Sequence, residues 1–165
     1  MLTKFSKRSV QSVLSMNEMS TFERELERHG KIIYPNVGDS MMPLIKQGRD
    51  VLVIERATLP LKKGDIPLYK RDNGQYVLHR IISARGGKYK ICGDNRAWVE
   101  KGIEDRHIIG VLVGIIRYGK EIPLAEAEGK FYRFKMCNLF FLKRLKYGFR
   151  ALRRKIKSKL RKKRI

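Results

Sequence analysis

The stretch from Ile66 to Asn95, "IPLYKRDNGQYVLHRIISARGGKYKICGDN", decides the fold class. It holds three short runs rich in β-branched and aromatic residues, "IPLYK", "QYVLHRII" and "KYKIC". Turn chemistry separates them: "RDNG" at 71–74, "RGG" at 85–87 and "GDN" at 93–95. Such runs read as strands. The pattern continues outward, with "KIIYP" and "DVLVIE" before the stretch and "IIGVLVGIIRY" after it, the last closed by "YGK" at 118–120. Six or seven strands at this spacing predict a mainly β, mostly antiparallel domain, not a parallel α/β one.

Each end of the chain reads differently. "STFERELERH", residues 20–29, opens with a capping-box pattern of Ser20 and Glu23 and stops at Gly30, which predicts a short helix. Beyond residue 125, Leu145, Phe149, Leu152, Ile156 and Leu160 recur at steps of three and four, a narrow apolar stripe on an otherwise basic helix. Phe131, Phe134, Phe140 and Phe141 make the first part of this tail more aromatic and suited to packing on the body. The expected organisation is an N-terminal helical segment (1–30), a β domain (31–125) and a basic amphipathic tail (126–165).

With 165 residues, 42% of them hydrophobic, the chain can fill one modest core. Its net charge of +22 is unevenly spread. Residues 130–165 hold 16 Lys and Arg and no Asp or Glu, whereas residues 1–129 hold 22 against 16, so the tail is a polycation on a mildly basic body. Cys92 and Cys137 form no Cys-x-x-Cys pair and no His cluster has ligand spacing, so neither a structural metal nor a disulfide framework is expected, and no cofactor is implied. No segment approaches the ~20 apolar residues of a membrane span, and the N-terminus is a poor signal peptide. The expectation is a cytoplasmic protein, soluble or peripheral on a membrane surface.

"NVGDSMMPLI", residues 36–45, places Ser40 in a Gly-Asp turn ahead of Met41, Met42 and Pro43. A plain strand, turn and helix start would account for it; so would a nucleophile held on a tight turn. A serine hydroxyl needs a base beside it to attack. Of the three histidines, His29 closes the first helix, where a cation complements the helix dipole, and His107 in "EDRHI" reads as a solvated turn residue. His79 sits within a strand. Alternation would put it on one face with Val77 and Ile81, and Arg80 on the other with Leu78 and Ile82. Flanked by β-branched residues, the ring is partly desolvated and kept neutral, as a general base must be; a buried histidine bonded to a backbone carbonyl has the same surroundings. Arg80 reads as an edge charge or an ion-pair partner. Asp94 and Glu100, near "GDN", are acids that could orient the ring, Asp94 being equally able to cap its own turn. Trp98 is expected in the core first and in a cleft wall second.

Taken together these pieces resemble the S24/S26 serine peptidases, the group that contains signal peptidase I and the LexA-type self-cleaving repressors. "GDSMMPLIKQGRDVLVIE" is similar to the family's nucleophile box, with Arg49 intervening in its Gly-Asp pair. "KKGDIPLYKRDNGQYVLHRII" resembles the block that ends in base-Arg, and "GDN" with "IIGVLVGIIRYGKEI" the closing strands. The resemblance implies a signal-peptidase/LexA-like antiparallel β catalytic domain, Ser40 as nucleophile and His79 as base, where most relatives use lysine. It further implies Glu100 as the orienting acid, with Asp94 as competitor. It leaves Gly38 where some relatives carry a second oxyanion donor.

The implied activity is a serine endopeptidase of signal-peptidase type acting on a peptide or protein. The other reading is an inactive module of the same fold. No membrane anchor, helix-turn-helix pair or scissile Ala-Gly precedes Ser40, so the chain resembles a small, anchorless member. For the polycationic tail at 130–165, an anionic membrane surface is the favoured partner and nucleic acid the less favoured one.

Overall fold

The computed structural model describes residues 21–139 and Arg153. Helix α1 (Phe22–His29) is capped by the Thr21 hydroxyl, which accepts from Arg24 N at 3.4 Å, and ends at Gly30 with φ 69°. The cap is therefore Thr21, one residue beyond the expected Ser20, which lies outside the described residues. One amphipathic turn buries Leu26 while Glu23 and Glu25 face the helix N-terminus and Arg28 and His29 its C-terminus, all favourable to the dipole.

Nine strands follow among the described residues: β1 (Lys31–Pro35), β2 (Asp50–Arg56), β3 (Pro67–Lys70), β4 (Tyr76–Leu78), β5 (Arg80–Arg85), β6 (Lys88–Cys92), β7 (Glu100–Glu104), β8 (Ile108–Arg117) and β9 (Lys120–Pro123). Every pairing is antiparallel. A six-stranded sheet runs β1-β2-β8-β3-β4 with β9 added to β8, and β5-β6-β7 form a second sheet. The mainly antiparallel β fold expected from the spacing is the one observed; β7 and β9 are the strands that the six clearest runs did not include.

The large sheet curls until its two edges approach. Phe22 of α1 stacks edge-on against Tyr34 of β1 and Tyr76 of β4, both at 4.9 Å between ring centroids, and so ties the edges together. Alternation along β3 then serves two cores. Leu68 joins Leu26, Leu52, Ile54 and Leu112, whereas Tyr69 joins Ile81, Tyr89, Ile91 and Ile103 of the small sheet.

"QYVLHRII" is not one strand. It breaks at His79, between β4 of the large sheet and β5 of the small one. The expected alternation fails there because a chain crossing between two packed sheets is covered on both sides, and consecutive Arg80 and Ile81 are each 0% exposed. His107 also departs from expectation. It is buried, its Nδ1 accepts from Glu104 N at 2.9 Å, and its Nε2 faces Asp72 at 3.2 Å, so it caps the short helical turn Asp105–His107.

Helix α2 (Leu124–Asn138) bends at Gly129, whose φ of 64° and ψ of 160° are not helical. It lays Leu124, Glu128 and Met136 on the body. Phe131 and Phe134, expected to pack inward, point away and are 77% and 56% exposed. The apolar stripe from Leu145 to Leu160 lies outside the described residues. Among the described residues no helix is long and apolar enough to cross a membrane.

Candidate active site

Ser40 lies in an irregular run of turns, not at a helix start. The turn is pinned from both ends. Met41, Leu44 and Ile45 are sunk in the core. Gly38 N donates to Gln47 Oε1 at 2.8 Å, and Met42 N to Asp39 O at 3.1 Å. Behind it the fully buried Asp50 carboxylate takes Lys46 N, Arg49 and Arg117, and both arginines also donate to Leu44 O at 3.0 Å. Burial would raise the Asp50 pKa, but these donors win and hold it down at about 2. Asp50 is thus the clamp on the Ser40 turn, and Arg49, the residue intervening in the Gly-Asp pair, is one of its jaws.

The "GDN" turn is stitched to this one. Asn95 N donates to Ser40 O at 2.7 Å, Asn95 Nδ2 to Asp39 O at 3.2 Å, and Arg96 forms an ion pair with Asp39. Gly93 explains how close the two can come. A Cβ added there would meet Ser40 O at 2.8 Å and His79 Nε2 at 3.0 Å, so a single hydrogen at Gly93 is what lets Ser40 and His79 flank the same point. Among the described residues Ser40 and His79 make no direct hydrogen bond. They share one open cleft of about 380 Å³, walled by Val37, Arg71, Tyr76, Leu78, Arg96 and Trp98 among others. Trp98, at 69% exposed, belongs to this wall and not to the core.

His79 is half-buried. Desolvation pulls its pKa down to about 4, with Arg71 and Arg96 pushing the same way and Glu100 against them, so the ring is neutral at pH 7. Its Nδ1 lies 3.4 Å from Tyr69 Oη, and Tyr69 Oη donates to Glu100 Oε2 at 2.8 Å. Glu100 is gripped by Arg71 through both oxygens, at 2.6 and 2.5 Å. Burial alone would raise the Glu100 pKa, yet the Arg71 and Tyr69 hydrogen bonds hold it below the usual carboxylate range. Of the two candidate acids, Glu100 therefore stands on the Nδ1 side of His79, one hydroxyl away.

Asp94 is engaged elsewhere. Its two oxygens receive Arg80 Nε and Nη2, each at 2.9 Å, and Tyr132 Oη donates to it at 3.0 Å. Arg80, 0% exposed, also donates to Glu128 Oε2 at 2.6 Å and to Gly64 O at 3.0 Å. The residue after His79 and the residue after Gly93 are thus joined in a buried ion pair that α2 completes. Planar guanidinium geometry suits this bidentate role. Among the described residues no group of three or more His, Cys, Asp and Glu is arranged to hold a metal ion.

The family model described as Peptidase S24-like matches residues 13–113. The chain belongs to the Peptidase S24-like family. Comparison with curated proteins gives no match. The S24-like span takes in Ser40, His79, Gly93, Asp94 and Glu100, while Glu128 and Tyr132 on α2 lie beyond it. Tyr69 and Arg71 were missed from the sequence, although a signal for Tyr69 exists. In the β3-β4 hairpin Tyr69 is paired with Val77, two residues before His79, which makes it a diagonal cross-strand neighbour of the histidine.

Proposed function

We propose that this S24-like protein is a serine endopeptidase of the signal-peptidase type, with Ser40 as nucleophile and His79 as general base. The observation that carries the reading is the close approach at Gly93, where the Ser40 carbonyl and Nε2 of a neutral His79 lie 2.8 and 3.0 Å from one point, both residues also lining the same open cleft. An extended peptide would lie along β4, an edge of the large sheet, and present its carbonyl to Ser40. Nε2 takes the Ser40 proton as Oγ attacks, then returns it to the leaving amine. The Ser40 N–H would meet the oxyanion.

The test is a proteome-derived peptide library incubated with the full chain and read by mass spectrometry. Cleavage with small residues at the scissile edge is expected from wild type, and none from Ser40→Ala or His79→Ala. Equal cleavage by wild type and Ser40→Ala would sink the reading. Cleavage by neither would favour the inactive binding module.

A second reading concerns the partner of the C-terminal region. Phe131 and Phe134 stand out from α2, with Lys130 and Lys135 exposed beside them, and every charged side chain after them is Lys or Arg. Apolar tips amid cations suit the surface of an anionic bilayer, as on the inner face of a cell membrane, better than a phosphate backbone. Sedimentation with anionic but not neutral liposomes is expected. Salt-sensitive DNA binding without liposome binding would reverse the assignment.

A further inference from the structure

We infer that Tyr69 is a positioning residue for His79, standing where other serine hydrolases place a carboxylate and linking the ring to Glu100 through its hydroxyl. The inference rests on the peptidase reading for its catalytic meaning, but its structural content can be tested without catalysis.

The supply of protons decides which nitrogen of His79 is bare. The Tyr69 hydroxyl has one, and two acceptors within reach: Glu100 Oε2 at 2.8 Å and His79 Nδ1 at 3.4 Å. The nearer acceptor is an anion, held ionised by Arg71, and a charged acceptor takes the proton over a neutral one. Burial and the Glu100 carboxylate push the Tyr69 pKa up, so the phenol keeps that proton. Tyr69 Oη therefore offers His79 only lone pairs. The contact is a hydrogen bond only if Nδ1 carries the ring's hydrogen. A neutral imidazole has one N–H, so Nε2 is bare, and Nε2 is the nitrogen that lies against Gly93 on the Ser40 side.

The same chain acts during the reaction. As Nε2 accepts the Ser40 proton, Nδ1–H and the Tyr69 O–H both stay in place, and the new imidazolium is stabilised by a dipole whose far end rests on Glu100. Setting a phenol between ring and carboxylate also weakens the resting attraction for a second proton. Arg71, which offsets the charge of Glu100, works in the same direction.

The experiment is nitrogen-15 NMR of the full chain at pH 7 without substrate, with the imidazole signals assigned through His29→Gln and His107→Gln. Wild type is expected to show His79 protonated at Nδ1, with the far-downfield signal of a bare Nε2. In Tyr69→Phe, which keeps the buried ring, the population is expected to move to the Nε2–H form that free imidazole side chains favour. Wild-type His79 protonated at Nε2, or a tautomer unmoved in Tyr69→Phe, overturns the inference. Tyr69→Phe should also lower kcat by ~10–100-fold on a library peptide, the effect of one hydrogen bond to a charged group, with KM little changed. Because the tautomer is read on the resting protein, a chain that cleaves nothing still decides this point, and a wrong tautomer leaves the Ser40→Ala test standing.

Discussion

Gly93→Ala is the sharpest perturbation of this site. Gly93 does not have a left-handed backbone, so alanine is conformationally allowed and any effect must come from its methyl group. That methyl would sit 2.8 Å from Ser40 O and 3.0 Å from His79 Nε2, where ordinary contact begins near 3.4 Å. Relief requires opening the gap to the Ser40 carbonyl by about 0.6 Å, the difference between those distances. Since Asn95 N donates to that same carbonyl at 2.7 Å, the opening strains or breaks this bond, at ~1 kcal/mol. Overpacking adds ~1–3 kcal/mol. A total of about 2–4 kcal/mol lowers Tm by roughly 5–15 °C for a domain of this size. Misplacement on the scale of 1 Å can cost ~10²-fold in rate, so kcat/KM should drop at least about tenfold even at a temperature where the variant stays folded. Differential scanning fluorimetry and peptide cleavage at 20 °C read the two effects separately. A variant within 1 °C of wild-type Tm and within twofold of its kcat/KM, each an estimate of assay scatter about the predicted effect, would show that the two turns are not held together through this contact.

Three other outcomes follow from the geometry. With the His79 pKa at about 4, the base stays neutral well below the 6.5 of an ordinary histidine, so the acid limb of kcat/KM should fall near pH 4. The sign for stability is the same, because the unfolded chain takes up a proton below 6.5 that the folded ring refuses until about 4, and stability is lost as pH falls through that window; an acid limb at 6.5 would contradict the burial of the ring. Arg80→Met leaves the buried Asp94 and Glu128 without their shared cation and should cost ~3–5 kcal/mol by denaturant unfolding, much of it recovered when Asp94→Asn and Glu128→Gln are added. A loss under ~1 kcal/mol would mean the network is not closed to water. Phe131→Ser with Phe134→Ser should leave Tm and cleavage unchanged and weaken binding to anionic liposomes at least ~10-fold, since each ring carries roughly 1.5–3 kcal/mol of apolar transfer.

The antiparallel β fold was readable because its signals are local. A hairpin turn such as "RDNG", a left-handed Gly30 and a β-branched run each depend on a few neighbouring residues. The proposed pairing of Ser40 with His79 rests, in the sequence, on resemblance alone, since nothing local in either residue distinguishes a catalytic side chain from a structural one. His107 and Trp98 reversed their expected places for a related reason. A polar ring can be buried if it caps a turn, and the largest apolar side chain can stand in solvent if a cleft needs a wall.

What the sequence determined by itself is the antiparallel β class with its six clearest strand runs, the concentration of cations after residue 130 and the residue types available for the chemistry, because propensity, charge and side-chain pKa reside in single residues and short windows. Only the tertiary structure decided that "QYVLHRII" breaks at His79, that Asp94 answers Arg80 and not the ring, and that Tyr69 stands between His79 and Glu100. Each of these depends on which sheet a strand joins and what then covers it. Burial and partner choice are properties of the packed molecule, where a carboxylate goes to the cation it can reach with both oxygens.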